Sequence, residues 1–274
     1  MPELPEVEVI RRGLAKKLVG DKIIAVDLGR QRLRRQALDS ELASLAGHTF
    51  SRLTRRGKYL LLHLDQGQTL LVHLGMTGRL LLQTNSCPLP PHVHLTLHCQ
   101  SGHKLLYQDV RRFGQILLYP PGKRPPALEQ VGWEPFSRGL TPEWLRQKMA
   151  RLTRPVKNFL LDGRFIAGIG NIYASETLFE ARVHPQTPVG RIDLKTWETL
   201  LRAIRRILRR AIKAGGTTIV NYVDCDGQSG LFSVQLKVYG RAGSPCPVCQ
   251  TPITRLVMAG RSTFFCSTCQ PINL

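Results

Sequence analysis

Two cysteine pairs near the C-terminus, Cys246-x-x-Cys249 and Cys266-x-x-Cys269, constrain this chain more than any other feature. Sixteen residues separate the pairs, which is the spacing of a four-thiolate zinc site. A segment this short has little apolar core, so metal bonds must supply much of its folding free energy. Four thiolates leave no open coordination position. The expected metal is therefore one structural Zn2+ per chain, with no catalytic metal. Arg255 and Arg261 fall where a metal-braced hairpin would present them. Cys87, Cys99 and Cys225 remain, and an odd total of seven does not suit a disulfide framework, so they are read as reduced thiols.

Charge narrows the partner. The 274 residues include 39 Lys and Arg against 19 Asp and Glu, a formal net charge of +20. Residues 1–131 hold 19 basic and 10 acidic side chains, and residues 132–274 hold 20 and 9. Because the excess covers both parts, a polyanion that touches both is expected. No apolar run reaches membrane-spanning length. Residues 2–8 carry glutamates where a secretory signal needs cations, which predicts a cytoplasmic protein with no membrane partner.

Hydrophobic periodicity changes along the chain. Val7, Ile10, Leu14 and Leu18 recur every three or four residues, predicting an amphipathic helix over 3–18. Short β-type runs follow at 22–28, 58–64, 69–74, 79–83, 92–98 and 115–119, which suggests a sandwich or barrel. The proline-rich residues 120–126 break the pattern as a semi-rigid linker. Beyond them Thr141-Pro142-Glu143 reads as a helix start, and residues 193–214 form a long helix with an apolar face of Leu200, Leu201, Ile204, Ile207, Leu208 and Ile212. The expected class is α+β. A helix and β-sandwich domain spans 1–131, a helical domain spans 132–239, and a zinc finger spans 240–274.

The opening, Met1-Pro2-Glu3-Leu4-Pro5-Glu6, admits two readings. Removal of Met1 would free a secondary α-amine, nucleophilic near neutral pH because such amines titrate near ~8. Its adduct with an aldehyde carbon is an iminium with no N–H proton to lose, which makes it an electron sink. Alternatively, the prolines and glutamates simply start a helix and complement its dipole. Residues alone do not choose between them.

A resemblance weighs on that choice. Met1 to Glu8 resembles the opening of the bacterial formamidopyrimidine-DNA glycosylases, and further segments resemble motifs of that family in the same order. They are His73-Leu74-Gly75-Met76-Thr77-Gly78, Asp109-Val110-Arg111-Arg112-Phe113-Gly114, Gly168-Ile169-Gly170-Asn171-Ile172-Tyr173-Ala174, Gly215-Gly216-Thr217-Thr218, Val238-Tyr239-Gly240-Arg241 and the cysteine segment. The resemblance implies a monomeric DNA repair enzyme that excises oxidised purines from double-stranded DNA and cleaves abasic sites. By the same resemblance Pro2 attacks the sugar C1′, Glu3 protonates or polarises the ring oxygen, Glu6 supports the site, and Lys58 contacts phosphates beside the lesion. Met76, Arg111 and Phe113 fill the space left by an extruded base. His92, Arg112, Lys157, Asn171 and Arg261 contact DNA. Gly168 to Asn171 lies in a helix–two-turns–helix motif, and Thr217, Thr218 and Tyr222 belong to a loop over the flipped base. Taken singly, Lys58 and Lys157 would pass for surface lysines, and Met76 and Phe113 for core residues.

Some positions depart from the family pattern. Val9 replaces a threonine, His92-Val93-His94 follows Pro91 where Lys-His-Asp-His is usual, Trp133 stands for a proline, and Cys225 adjoins the base-contact loop. Two other readings compete: a pyrimidine-directed relative of the endonuclease VIII type, which usually has Gly at the position of Leu4, and a non-enzymatic DNA-binding zinc protein.

Overall fold

The computed structural model describes residues 2–84, 87–216 and 236–272. These separate into two compact units, Met1–Glu129 and a second that takes in Gln130–Lys213 and Val234–Leu274.

The first unit begins with α1 (Leu4–Leu18), whose Leu4, Val7, Ile10, Leu14 and Leu18 are buried on one face while Lys16 and Lys17 are exposed. Pro5 sits in its first turn, where a missing N–H costs nothing. After it come β1 (Ile23–Leu28), β2 (Arg35–Gln36), α2 (Asp39–Ala43), β3 (Phe50–Arg56), β4 (Tyr59–Leu64), β5 (Thr69–His73), β6 (Arg79–Thr84), β7 (Val93–Cys99), β8 (His103–Gln108), β9 (Gln115–Tyr119) and the short α3 (Pro126–Glu129). They form a four-stranded sheet, β1-β7-β8-β6, and a five-stranded sheet, β2-β9-β5-β4-β3. Alternate residues such as Leu60, Leu62 and Leu64, Leu80 and Leu82, and Leu95 and Leu97 form one core with α1. The expected sandwich is present.

Three connections cross between the sheets, residues 29–34 from β1 to β2, residues 74–78 from β5 to β6 and residues 109–114 from β8 to β9. Strand β3, with arginines at three of its seven positions, carries too little apolar alternation to announce itself.

The second unit contains α4 (Pro142–Met149), α5 (Val156–Leu161), α6 (Asn171–Ala181), a 3-10 turn (Val189–Arg191), α7 (Leu194–Lys213) and a hairpin of β10 (Thr254–Met258) with β11 (Arg261–Phe265). The Thr141 hydroxyl accepts from the Trp144 amide at 3.2 Å, so the threonine caps α4 as its sequence predicts. Helix α7 buries Trp197, Leu200, Leu201, Ile204, Ile207 and Leu208 and exposes Arg202, Arg206, Arg209, Arg210 and Lys213. Its remaining arginine, Arg205, is anchored to the carbonyls of Pro135, Ser137 and Leu140 at 2.9, 3.1 and 2.9 Å. Among the described residues no helix is long and apolar enough to cross a membrane.

Cys99 is a buried free thiol. Cys87 differs from expectation in being disulfide-bonded. Cys225, Thr217, Thr218 and Tyr222 lie outside the described residues.

Candidate functional site

Pro2 immediately precedes α1 and is partly exposed, while Glu3 and Glu6 are buried. Glu6 Oε2 accepts the Glu3 amide at 2.8 Å, and the Glu3 carbonyl accepts the Val7 amide at 3.1 Å. One carboxylate thus fixes the backbone next to Pro2 by a capping-box bond, which satisfies an amide the helix leaves over. One turn on, Glu8 accepts from Arg11 at 2.8 Å, Arg12 at 2.7 Å and Arg55 at 3.2 Å. Burial alone would raise its carboxyl pKa, but bonds from Arg11 and Arg12 and the charges of Arg11 and Arg55 hold it down at about 2. This cluster ties α1 to β3. The sequence reading missed it, because its members lie up to 47 residues apart.

Arg55 also donates to the Gly57 carbonyl at 2.9 Å. Arg56 pairs with Tyr59 across the β3–β4 ladder, so Gly57 and Lys58 are a two-residue hairpin turn, with Gly57 at φ 56°. Lys58 therefore stands on a turn and not in the strand. Burial, followed by the Lys58 charge, lowers the His73 pKa to about 4. His73 Nδ1 accepts the Gly75 amide at 3.1 Å, which suits that neutral ring.

The connections 74–78 and 109–114 are bound to each other. Asp109 is fully buried and its carboxylate accepts the Thr77 hydroxyl, the Arg111 amide at 3.2 Å and the Gly114 amide at 2.8 Å. The glycines of these segments serve the same closure. A Cβ at Gly114 would lie 1.5 Å from the Tyr107 hydroxyl, and one at Gly78 would lie 2.7 Å from it. Outward from this brace stand Met76, which is 48% exposed, and Arg111 and Arg112, also exposed. Phe113 is half-buried and carries the Arg34 and Arg111 guanidinium groups over its ring at 4.3 and 4.6 Å. Met76, Arg111 and Phe113 therefore occupy one adjoining pair of loops, and neither apolar side chain is in the core.

His92 is exposed, in a left-handed conformation with φ 61°, and its carbonyl accepts the Asp109 amide at 3.0 Å. His94 is buried between the carbonyls of Gln31 and Asp109, at 2.7 and 2.8 Å. It braces the same loop.

In the second unit the four cysteine sulfurs lie within 4.8 Å of one another. Cys246–Cys269 is 3.9 Å, and Cys249–Cys266 and Cys249–Cys269 are 3.4 Å. Tetrahedral bonds of about 2.3 Å require sulfurs about 3.8 Å apart, so these side chains fit a zinc ion. Backbone amides of Val248 and Cys269 point at sulfurs at 3.4 Å, compensating thiolate charge. Gln270, fully buried, joins the Cys266 amide to the Val183 carbonyl and so ties the metal segment to the end of α6.

The β10–β11 hairpin turns on Ala259 and Gly260, both at positive φ, and places exposed Arg261 directly after the turn. Asn171, the first residue of α6, donates to the Ser262 carbonyl at 2.8 Å. Lys157 departs from its expected place at a phosphate. It has no exposed surface, and its ammonium donates to Thr263 Oγ1 at 2.6 Å and to the Ser262 carbonyl at 3.2 Å. Burial and the Arg261 charge bring its pKa down to about 8. The ammonium is drawn inward because the hairpin strand offers it two acceptor oxygens, which satisfy a charge that burial would otherwise leave unpaired. Glu176, also unforeseen, gathers the amides of Lys237, Val238 and Tyr239 at 3.0, 2.9 and 2.8 Å where the chain enters the metal segment.

Comparison with known proteins covers nearly the whole chain. Residues 1–116 match the formamidopyrimidine-DNA glycosylase N-terminal domain, residues 131–222 the H2TH domain of the same enzymes, and residues 243–272 the zinc finger found in FPG and IleRS. A formamidopyrimidine-DNA glycosylase of Desulforamulus reducens is 43% identical, covering 98% of this chain and 99% of that protein. One from Polynucleobacter necessarius is 45% identical, with 98% and 99% covered. Among solved structures, a Lactococcus lactis Fpg mutant with Fapy-dG-containing DNA superposes with a TM-score of 0.90 at 34% identity, covering 99% of this chain and all of that one. The Lactococcus lactis enzyme with abasic-site DNA gives 0.89 at 34%, covering 98% and 100%.

Proposed function

Because the chain belongs to the formamidopyrimidine-DNA glycosylase family, we propose that it excises oxidised purines, 8-oxoguanine and formamidopyrimidines, from duplex DNA and cleaves the abasic strand through an iminium on Pro2. It is a DNA repair glycosylase with a structural zinc held by Cys246, Cys249, Cys266 and Cys269. The purine preference, the lyase steps and the residue roles are the proposal. So are the parts 1–131, 132–239 and 240–274, and a cytoplasmic, nucleoid-associated location.

The Pro2 nitrogen, freed of Met1, attacks C1′ as the C1′–base bond breaks and the base leaves with its electron pair and a proton. Glu3 protonates or polarises the sugar ring oxygen, which opens the ring to a Pro2 iminium. Loss of a C2′ proton then expels the 3′ phosphate, and a second elimination expels the 5′ phosphate. The secondary amine suits both steps, since its iminium has no N–H proton to lose and is re-formed, in conjugation, as the enamine left by C2′ deprotonation expels the 3′ phosphate. Lys58 and Arg261 bind backbone phosphates, Asn171 opens α6 toward them, and Met76, Arg111 and Phe113 enter the duplex where the base has left. His92 and Arg112 are kept as peripheral DNA contacts.

The observation that best supports this reading is the start of α1: a half-exposed Pro2 beside two buried carboxylates, one of which holds the backbone still. A pre-organised nucleophile needs such fixing of its backbone. Incubation with a duplex carrying one 8-oxoguanine tests it. Strand cleavage is expected without borohydride and a covalent protein–DNA adduct with it. Efficient excision of oxidised pyrimidines alone would transfer the chain to the endonuclease VIII type, and neither product from protein starting at Pro2 would leave only a DNA binder.

A further inference from the structure

Helix α7 presents more positive charge than the proposed chemistry uses. Arg202, Arg206, Arg209 and Arg210 line a cleft of about 620 Å³. A second cleft of about 290 Å³ shares Arg206 and Arg210 and adds Arg182 and Lys237. Among the described residues the Glu180 side chain, only 6% exposed, is the one carboxylate lining either cleft, and it binds Arg206 and Lys237. A buried carboxylate therefore holds two cations in place, while among the described residues Arg182, Arg202, Arg209 and Arg210 form no ion pair. Arg209 lies 5.3 Å over the Phe136 ring, which limits its freedom as well. Arg206 and Arg209 are thus oriented from beneath instead of swinging freely in solvent, so less of their side-chain entropy is lost when an anion arrives.

This array is separate from the phosphate contacts proposed above. Asn171 and Glu180 lie nine residues apart on α6, which at 1.5 Å per residue is about 13 Å along the axis. Among the described residues the larger cleft is lined by arginines, Thr199, Ala203 and Glu180, with no aromatic side chain on which a base could stack. It offers no large apolar anchor of the kind that carries protein–protein affinity. Guanidinium forks without either feature suit a sequence-independent phosphodiester backbone.

We propose that the exposed face of α7 is a second DNA-binding surface, which engages backbone phosphates beyond the segment holding the lesion. The inference rests on DNA being the ligand of this chain, and a short lesion duplex reports on that reading separately.

The test compares Arg202→Glu/Arg210→Glu with a control of equal charge change, Lys16→Glu/Lys17→Glu on the exposed side of α1. For each full-length protein, log K is measured against log salt on a 12-bp lesion duplex and on a lesion-free 40-bp duplex. The α7 variant should lower the 40-bp slope by about two units, one per lost phosphate contact, with 12-bp affinity and excision within twofold of wild type. The control should leave the 40-bp slope near the wild-type value. Equal losses from both variants would reduce the effect to net charge, and an unchanged 40-bp slope would remove α7 from the DNA-binding surface. Either result overturns the proposal, as does oligoglutamate binding that needs the α7 arginines while 40-bp DNA does not, which would mark an acidic protein partner. If wild type fails to bind the 12-bp lesion duplex, the glycosylase reading falls first.

Discussion

Lys157 Nζ donates to Thr263 Oγ1 at 2.6 Å, with no surface of the lysine exposed. A charge predicted to face DNA thus fastens the zinc hairpin to α5, one residue from the Ser262 carbonyl that Asn171 also holds. Lys157→Met keeps the stem packing but removes the donors, leaving the Thr263 hydroxyl without this partner at a cost of about 1–3 kcal/mol to hairpin docking. Bound zinc should stay at one per chain while amide exchange across residues 261–265 accelerates and DNA affinity falls. Unchanged exchange protection would show that the lysine is dispensable for docking.

The same residue shows what the sequence could and could not disclose. Periodicity gives α1 and α7 nearly to the residue, because one-sided burial leaves its mark at every third or fourth position. Cysteine spacing gives the metal site, because zinc geometry restricts how two pairs can close. Lys157 is different: whether an ammonium faces water or a buried oxygen depends on a hairpin 105 residues away. Asp109 and the Glu8 cluster were silent for the same reason, since no local pattern marks a carboxylate whose partners come from other loops.

Gly114→Ala tests whether the paired loops act as one piece. Its Cβ would meet the Tyr107 hydroxyl at 1.5 Å and the His73 carbonyl at 2.9 Å, so the loops must part. We expect a loss of about 2–4 kcal/mol in thermal or urea unfolding, together with weaker discrimination of the base opposite the lesion. Adding Tyr107→Phe removes the nearest clashing atom and should restore part of the stability. A Gly114→Ala protein as stable as wild type would mean that the brace yields without cost.

Acid stability should fall in two separable windows. His73, with a folded pKa of about 4 against 6.5, binds fewer protons folded than unfolded between those values. Its contribution is present above pH 6.5 and is lost as pH falls to 4, on the order of 3 kcal/mol for such a shift. Glu8, at about 2 against 4.5, contributes above pH 4.5 and loses it as pH falls through 2. Solvent screening of that cluster reduces its share to about 1–2 kcal/mol. Urea unfolding from pH 8 to 2.5 should show the upper slope disappear in His73→Asn and the lower one in Glu8→Gln. Slopes shared equally by both variants would mean that other groups carry the acid response.

Zinc removal should act on the second unit alone. Cys266→Ser breaks a four-thiolate site whose small core joins Cys246 and Cys266 to Phe179, Val238 and Ile253. Metal analysis is expected to find no zinc, and duplex binding should fall by at least tenfold while the β-sandwich retains its circular dichroism. Full zinc occupancy in the variant would call for a ligand other than Cys266.

The amine decides between enzyme and binder. While Met1 is attached, the Pro2 nitrogen belongs to a tertiary amide whose lone pair is delocalised into the carbonyl and cannot attack a sugar carbon. Active protein should therefore begin at Pro2 by mass spectrometry, and borohydride should fix DNA to that residue. Pro2→Gly supplies a primary amine, so trapping should persist in part while elimination slows, because a neutral imine is a weaker electron sink than the iminium. Glu3→Gln should depress base excision by about 10²-fold or more, the range of a lost general acid. Cleavage at a preformed abasic site should be less impaired, since the base has already gone. Full excision by protein proven to retain Met1 would sink the mechanism, whatever family the chain belongs to.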